Sequence, residues 1–198
     1  MASFFDVTLQ NKNIDAKISA GLERLSNAFR VMLWEQAKQQ SLSPIQIQIL
    51  IFLKYHPQHL LTVSYLAKEM NVTKPTISDA VKVLEQKRYL KKNSDSIDAR
   101  SCCITLTSAG KKITEKTERF AQPLEQLISE IAKSEKELIW ETLSSLIYQL
   151  NKLEIITVQR TCFNCQFYNK STSNYCTLLD MALAPADIRL DCPEFVES

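Results

Sequence analysis

The sequence predicts a mainly α fold with one small β-hairpin and a separate cysteine-rich tail. Three observations predict it. Apolar residues recur at steps of three and four over much of residues 14–158, which is the helical period. One short segment, 101–106, alternates its faces as a strand does. Beyond residue 158 the periodicity stops, and four of the six cysteines fall between 162 and 192. We therefore divide the chain into residues 1–158 and a tail, 159–198.

Composition narrows the function. With 45% hydrophobic and 23% charged residues, the 198-residue chain can bury a core, which excludes intrinsic disorder. Two glycines leave no Walker or Rossmann phosphate loop. Neither His56 nor His59 has a triad or metal-site pattern around it, so we expect no enzyme. Met1 to Asp6 lacks a basic start and a sustained apolar run. The stretch from Ile45 to Leu53 is interrupted by Gln46 and Gln48 and is too short to span a bilayer. We expect a cytoplasmic protein with no membrane partner. In that reducing compartment, cysteines suit metal ligands or redox groups better than disulfides. The net charge of +2 is unevenly spread, with +3 over 73–100 and −2 over 160–198. A basic middle points to an anionic partner there.

Taken in order, Ile14, Ile18, Leu22, Leu25, Phe29 and Leu33 form one stripe of a helix over 14–40. Ser43 and Pro44 start a second helix, about 44–55, as N-cap and first helical residue. Thr62 opens a short helix to Met70, Asn71-Val72 turns, and Thr73 caps a further helix to about Lys87. The last of these has Ile77, Ala80, Val81 and Leu84 on its inner face. Two short helices across a tight turn make a helix-turn-helix. Tyr89-Leu90 opens a strand, 93–96 turns, and 101–106 returns, so the whole reads as a winged helix-turn-helix. On the returning strand Cys102 shares the core face with Ile104 and Leu106, which leaves Cys103 on the other face. Thr107 caps a long helix to about 131 with a kink at Pro123. Ser134 and Glu137 form a capping box for a last helix to about Val158. In that helix Ile139, Leu143, Leu146, Leu150 and Leu153 make a heptad seam. With the first helix, this seam predicts helical dimerisation arms.

The run Asp98-Ala-Arg100, followed by Leu106-Thr107-Ser-Ala-Gly110, resembles the wing signature of the multiple-antibiotic-resistance regulator (MarR) family. Residues 73–85 are similar to that family's recognition helix, and the likeness extends over roughly 14–156. The resemblance implies a homodimeric transcription regulator, a repressor more than an activator, on a pseudopalindromic operator in double-stranded DNA. It also implies a small-molecule effector, for which Trp34, Tyr55 and Tyr65 are possible lining residues. The chemistry agrees. A helix in the major groove reads bases from its first turns, where this chain offers Lys74, Thr76, Ser78 and Asp79. Lys74 and Lys82 suit phosphates, and Arg100 suits a narrow minor groove. By the resemblance, Asp98 orients Arg100.

The tail reads C-x₂-C-x₁₀-C-x₁₅-C through Cys162, Cys165, Cys176 and Cys192. A C-x₂-C pair brings two thiolates to one metal, and two more cysteines complete four-coordination. Structural zinc sites usually repeat the short pair, which this tail does not. Cys192-Pro193 matches the end of ferredoxin motifs. Flanking aromatics such as Phe163 and Tyr175 resemble the high-potential-iron-type small subunits of some glycyl-radical enzymes. We expect one four-cysteine metal centre and weigh an iron–sulfur cluster (4Fe-4S) ahead of zinc. Such a centre would stabilise the tail or sense redox or metal status, acting on the DNA-reading heads through the adjoining last helix. The alternative is a metal-cluster electron-transfer or redox protein that uses the winged helix as scaffold. No acid/base constellation accompanies the cysteines to support it.

Overall fold

The computed structural model describes residues 3–94, 102–169 and 174–198. Eight α-helices lie within the described residues, together with short 3₁₀ turns and two small antiparallel sheets. A short α1, Val7–Lys12, precedes the first predicted helix, its N-terminus capped by Asp6. No apolar stripe announced it. The long α2, Ile14–Gln40, follows at the predicted bounds and ends at Ser41 in the left-handed region, φ 52°. Helix α3, Pro44–Tyr55, starts on a full capping box: Ser43 accepts from the Gln46 amide while the Gln46 side chain accepts from Ser43.

The helix-turn-helix is α4, Val63–Glu69, and α5, Lys74–Gln86, capped by Thr62 and Thr73. Asn71 makes the turn between them with φ 52°, a conformation Asn tolerates better than most side chains. Ile77, Val81 and Leu84 of α5 are fully buried, each worth about 1.5–3 kcal/mol by transfer from water. They seal α5 onto α3 and leave its other face to solvent.

The wing strands are β1, Leu90–Ser94, and β2, Cys102–Leu106, paired antiparallel with Leu90 opposite Leu106. The first strand runs into the expected turn at 93–96 as far as Ser94. Cys103 corrects one expectation. It is buried, and its thiol donates to the Gln58 carbonyl at 3.4 Å. A 3₁₀ turn, Gln58–Leu60, lies against β2 and covers the side expected to face water. Ile104, on the opposite side, is buried as predicted.

Gly110 explains why the chain after the wing needs a glycine. A Cβ there would stand 1.8 Å from the Tyr89 carbonyl oxygen. Thr107 fixes that approach: its amide donates to Tyr89, its hydroxyl donates to the Arg88 carbonyl, and its Oγ1 accepts from the Gly110 amide. The expected long kinked helix is two helices, α6, Ser108–Thr117, and α7, Gln122–Ser129. Pro123 lies in the first turn of α7, where its missing N–H costs nothing.

The last long helix, α8, is Lys133–Lys152. It starts at Ala132 with no side-chain cap, so the expected Ser134 capping box does not form. It also ends earlier than the predicted Val158, because Glu154 turns the chain at φ 59°. Residues 155–161 then cross towards α4 instead of prolonging α8. The tail holds three two-residue strands, β3 Tyr168–Asn169, β4 Tyr175–Cys176 and β5 Met181–Ala182, in one antiparallel sheet. Its own small core is Cys162, Leu183 and Ile188, flanked by Phe163, Tyr168 and Cys176. No helix is long and apolar enough to cross a membrane, among the described residues.

Candidate functional site

Two sites emerge, joined by a third group of residues that no sequence motif brings together. The first is the outer face of α5. Lys74, Thr76, Ser78, Asp79 and Lys82 are all exposed there. Thr76 shares a 2.8 Å hydrogen bond with Thr73, which orients its hydroxyl at the start of the helix. Lys91 and Lys92 of β1 are also exposed, and Lys92 pairs with Glu85 at 3.2 Å. Asp98 and Arg100 lie outside the described residues.

The second is the tail's cysteine cavity. Cys162, Cys165, Cys176 and Cys192 all line it, and none is in a disulfide. The chain around them is tightly bonded: the Cys162 amide donates to Arg189, the Cys165 amide to Cys162, and the Cys192 amide to Arg160. Two N–H groups of Arg189 point at sulfur, its amide at Cys162 and its Nη1 at Cys192, both at 3.3 Å. Burial pushes the Cys162 thiol above its ordinary value. The neighbouring cysteines push it the same way, while the Arg189 amide opposes them. The Cys162 thiol so placed resists becoming a thiolate unless a cation offsets the charge. Among the described residues, no three Cys, His, Asp or Glu side chains are already grouped as a site for one metal ion. Leu178, Leu179 and Leu183 add an apolar stretch of wall, and Asp187, Arg189 and Glu194 line the cavity as well.

The third group centres on Arg160, which is 8% exposed. Its Nε and Nη2 each donate to the Asp191 carboxylate at 2.6 Å. Its Nη1 donates to Glu69 at 2.7 Å and to the Tyr65 hydroxyl at 2.6 Å, both on α4. His56 stacks on Phe52 and places Nε2 2.8 Å from Asp191. Burial alone would raise the Asp191 carboxyl, but His56 and Arg160 outweigh it and hold the group well below the usual carboxylate range. Upstream, Thr157 donates to the Lys68 carbonyl at 2.5 Å, and Asn71 donates to the Ile155 carbonyl at 3.2 Å. No motif marked these residues in the sequence. The only available signal was position, since Asp191 adjoins Cys192 and Arg160 precedes Cys162 by two.

A cleft of about 690 Å³ opens between this clamp and the end of α3. Tyr55 and Tyr65 line it, and Trp34 does not.

Comparison with known proteins bears on the winged helix. Residues 40–101 match the model of the MarR family. The transcriptional regulator AdcR of Streptococcus pneumoniae is 25% identical over 143 residues, covering 70% of this chain and 96% of its own. MepR of Staphylococcus aureus is 27% identical. Its complex with DNA superposes with a TM-score of 0.58, covering 67% of this chain and 97% of MepR. Its DNA-binding conformation superposes at 0.60, covering 67% and 98%. The fold is thus the winged helix of MarR-family structures, and these relatives are transcriptional regulators rather than enzymes.

Proposed function

We propose that this chain, with its MarR-type winged helix, is a homodimeric transcription regulator of the repressor kind that reads double-stranded DNA through α5. One observation carries the reading. The exposed row Lys74, Thr76, Ser78, Asp79 and Lys82 stands on a helix whose opposite face is sealed into the core. Such a helix is rigid enough to enter a major groove without rearrangement. MepR, which shares the fold, is solved bound to DNA. In this reading Thr76 and Ser78 meet base edges, Lys74 and Lys82 neutralise phosphates, and Arg100, oriented by Asp98, enters the minor groove.

Dimerisation is supported by apolar surface that one chain leaves open. Ile14, Ile18, Leu22, Leu25 and Phe29 of α2 are each at least 40% exposed, and Leu33 alone of that stripe is buried. Ile139, Leu146 and Leu150 of α8 are exposed as well. A monomer rarely leaves stripes of this length in water. A pair of half-sites about one helical turn apart follows from a two-fold dimer. The effector implied by the family resemblance would have room in the cleft beside Tyr55 and Tyr65. DNA as partner and reduced thiols together fit a cytoplasmic location.

In the tail, Cys162, Cys165, Cys176 and Cys192 would hold one metal centre. The donor set fits: four free thiols on one cavity, with two N–H groups aimed at sulfur. Such N–H···S bonds are what tune an iron–sulfur cluster, which we favour over zinc. When bound, the cluster would supply cross-linking of the tail and sensitivity to oxidants. The test has two arms. Selection from a pool of random duplexes should return a symmetric sequence; no enrichment overturns the DNA reading. Anaerobic purification with metal counting and an ultraviolet–visible spectrum should find iron with sulfide-type absorption, lost in Cys176→Ser. Zinc would correct the metal, and no bound metal would remove the centre.

A further inference from the structure

We propose that the state of the cysteine centre is transmitted to the DNA-reading helices through Arg160, so that the loaded protein binds duplex DNA more tightly than the empty one. The inference rests on metal binding at the four thiols and goes beyond it. Its physical basis is the placing of one buried guanidinium between two units. On the tail side, Arg160 grips Asp191 with two 2.6 Å bonds, and Asp191 is covalently next to Cys192. The backbone adds a second tie, from the Cys192 amide to the Arg160 carbonyl at 3.0 Å. On the other side, the same guanidinium holds Glu69 and Tyr65 of α4. Thr157 and Asn71 extend the seam to the last residues of α4 and to the turn that launches α5.

The consequence follows from charge. A centre that fixes Cys192 also fixes Asp191 opposite Arg160. Loss of the centre frees the 189–192 segment and withdraws one of the two carboxylates that balance a buried cation. The remaining partner, Glu69, then has to hold the guanidinium alone, and α4 shifts or frays. A helix-turn-helix already ordered loses less conformational entropy on binding DNA than one that must be ordered first. The path avoids α8, which stops at Lys152. Coupling between sites is reciprocal, so bound DNA should protect the centre to the same degree.

The test uses full-length protein and a duplex selected by the loaded form from a random pool. Metal content and duplex affinity are measured at one salt concentration for wild type, Cys176→Ser and Glu69→Gln, the last two also purified anaerobically. In wild type, emptying the centre should weaken duplex binding about tenfold, within the usual range for coupled sites. Glu69→Gln should keep its metal and show less than about a twofold change on emptying. Hydrogen exchange of α4 amides in wild type should quicken when the centre is emptied, a readout that needs no variant. Metal bound with unchanged affinity and unchanged exchange on emptying would overturn the linkage while leaving the metal reading intact. Tighter binding by the empty form, or an undiminished effect in Glu69→Gln, would overturn the proposed direction or route. Wild type without metal would overturn both readings.

Discussion

Arg160 and Asp191 form a two-bond ion pair, with Nε and Nη2 each 2.6 Å from a different oxygen of the same carboxylate. This is the fork geometry in which arginine binds carboxylate most strongly. It closes a loop of the tail and at the same time ties that loop to α4 through Glu69. The tail is therefore built against the winged helix, not appended to it.

Removing this guanidinium should be costly. Arg160→Ala leaves Glu69 and Asp191 facing one another without a cation, and breaking a buried pair costs roughly 3–5 kcal/mol. Asp191 keeps 42% of its side-chain exposure, so the lower end is expected. Urea unfolding should show the loss with an unchanged m-value. A change within about 0.5 kcal/mol would mean that water substitutes for the clamp.

Gly110→Ala should destabilise through geometry alone. The added methyl would meet the Tyr89 carbonyl at 1.8 Å, and α6 would have to move away from the wing root. Overpacking of this kind costs about 1–3 kcal/mol, sometimes more. Thermal melting should fall by several degrees, and the selected duplex should bind less well because the wing shares that root.

In the proposed DNA complex, the face of α5 would make two kinds of contact. Lys74→Ala should weaken binding to all duplexes alike and reduce the salt slope by about one. Thr76→Ala should weaken the selected duplex and leave unrelated ones unchanged, with a loss of about 1–3 kcal/mol if the contact is to a base. Titrations at several salt concentrations distinguish the two. The same titration of Arg100→Ala tests the wing.

Leu146→Asp with Leu150→Asp should abolish the proposed dimer. Both side chains are exposed in one chain, at 42% and 37%, so the change costs the monomer little, whereas a dimer would bury uncompensated charge. Sedimentation should show a folded monomer. An unaltered dimer would place the interface elsewhere.

Glu118 on the turn after α6 accepts from Lys54 at 2.6 Å and from Tyr55 at 2.8 Å, and the Lys54 bond is the main cause of its lowered pKa. A carboxyl depressed in the folded state adds stability above its unfolded value, about 4.3, and that stability is lost as pH falls through the folded value. Glu118→Gln should thus flatten part of the melting-temperature decline below about pH 4.3. An identical decline in both proteins would show that the pair contributes nothing.

The sequence made the helices legible where caps and periodicity agreed. Thr73 and Thr107 each cap the helix they were expected to cap, because a hydroxyl before an apolar run has few other uses, and Thr62 caps the helix it was expected to open. It misled where a local signal lost to packing. Ser134 resembles a cap, yet the N-cap of α8 is Ala132, and Glu154 in the left-handed region ends the helix before the apolar pattern does. Alternation correctly buried Ile104 but left Cys103 to solvent, since no local pattern reveals the 3₁₀ turn that covers it. The Arg160 clamp was invisible for a related reason. Its members stand at 56, 65, 69, 160 and 191, and only the fold brings them together.

The proposed function requires sequence-specific reading of duplex DNA by a two-chain assembly. Anisotropy titration of the selected duplex against a scrambled duplex, at one salt concentration, tests it most directly. Saturation is expected at two chains per duplex, with a preference of at least about a thousandfold for the selected sequence. Equal affinity for the two duplexes, or saturation by a single chain, would contradict it.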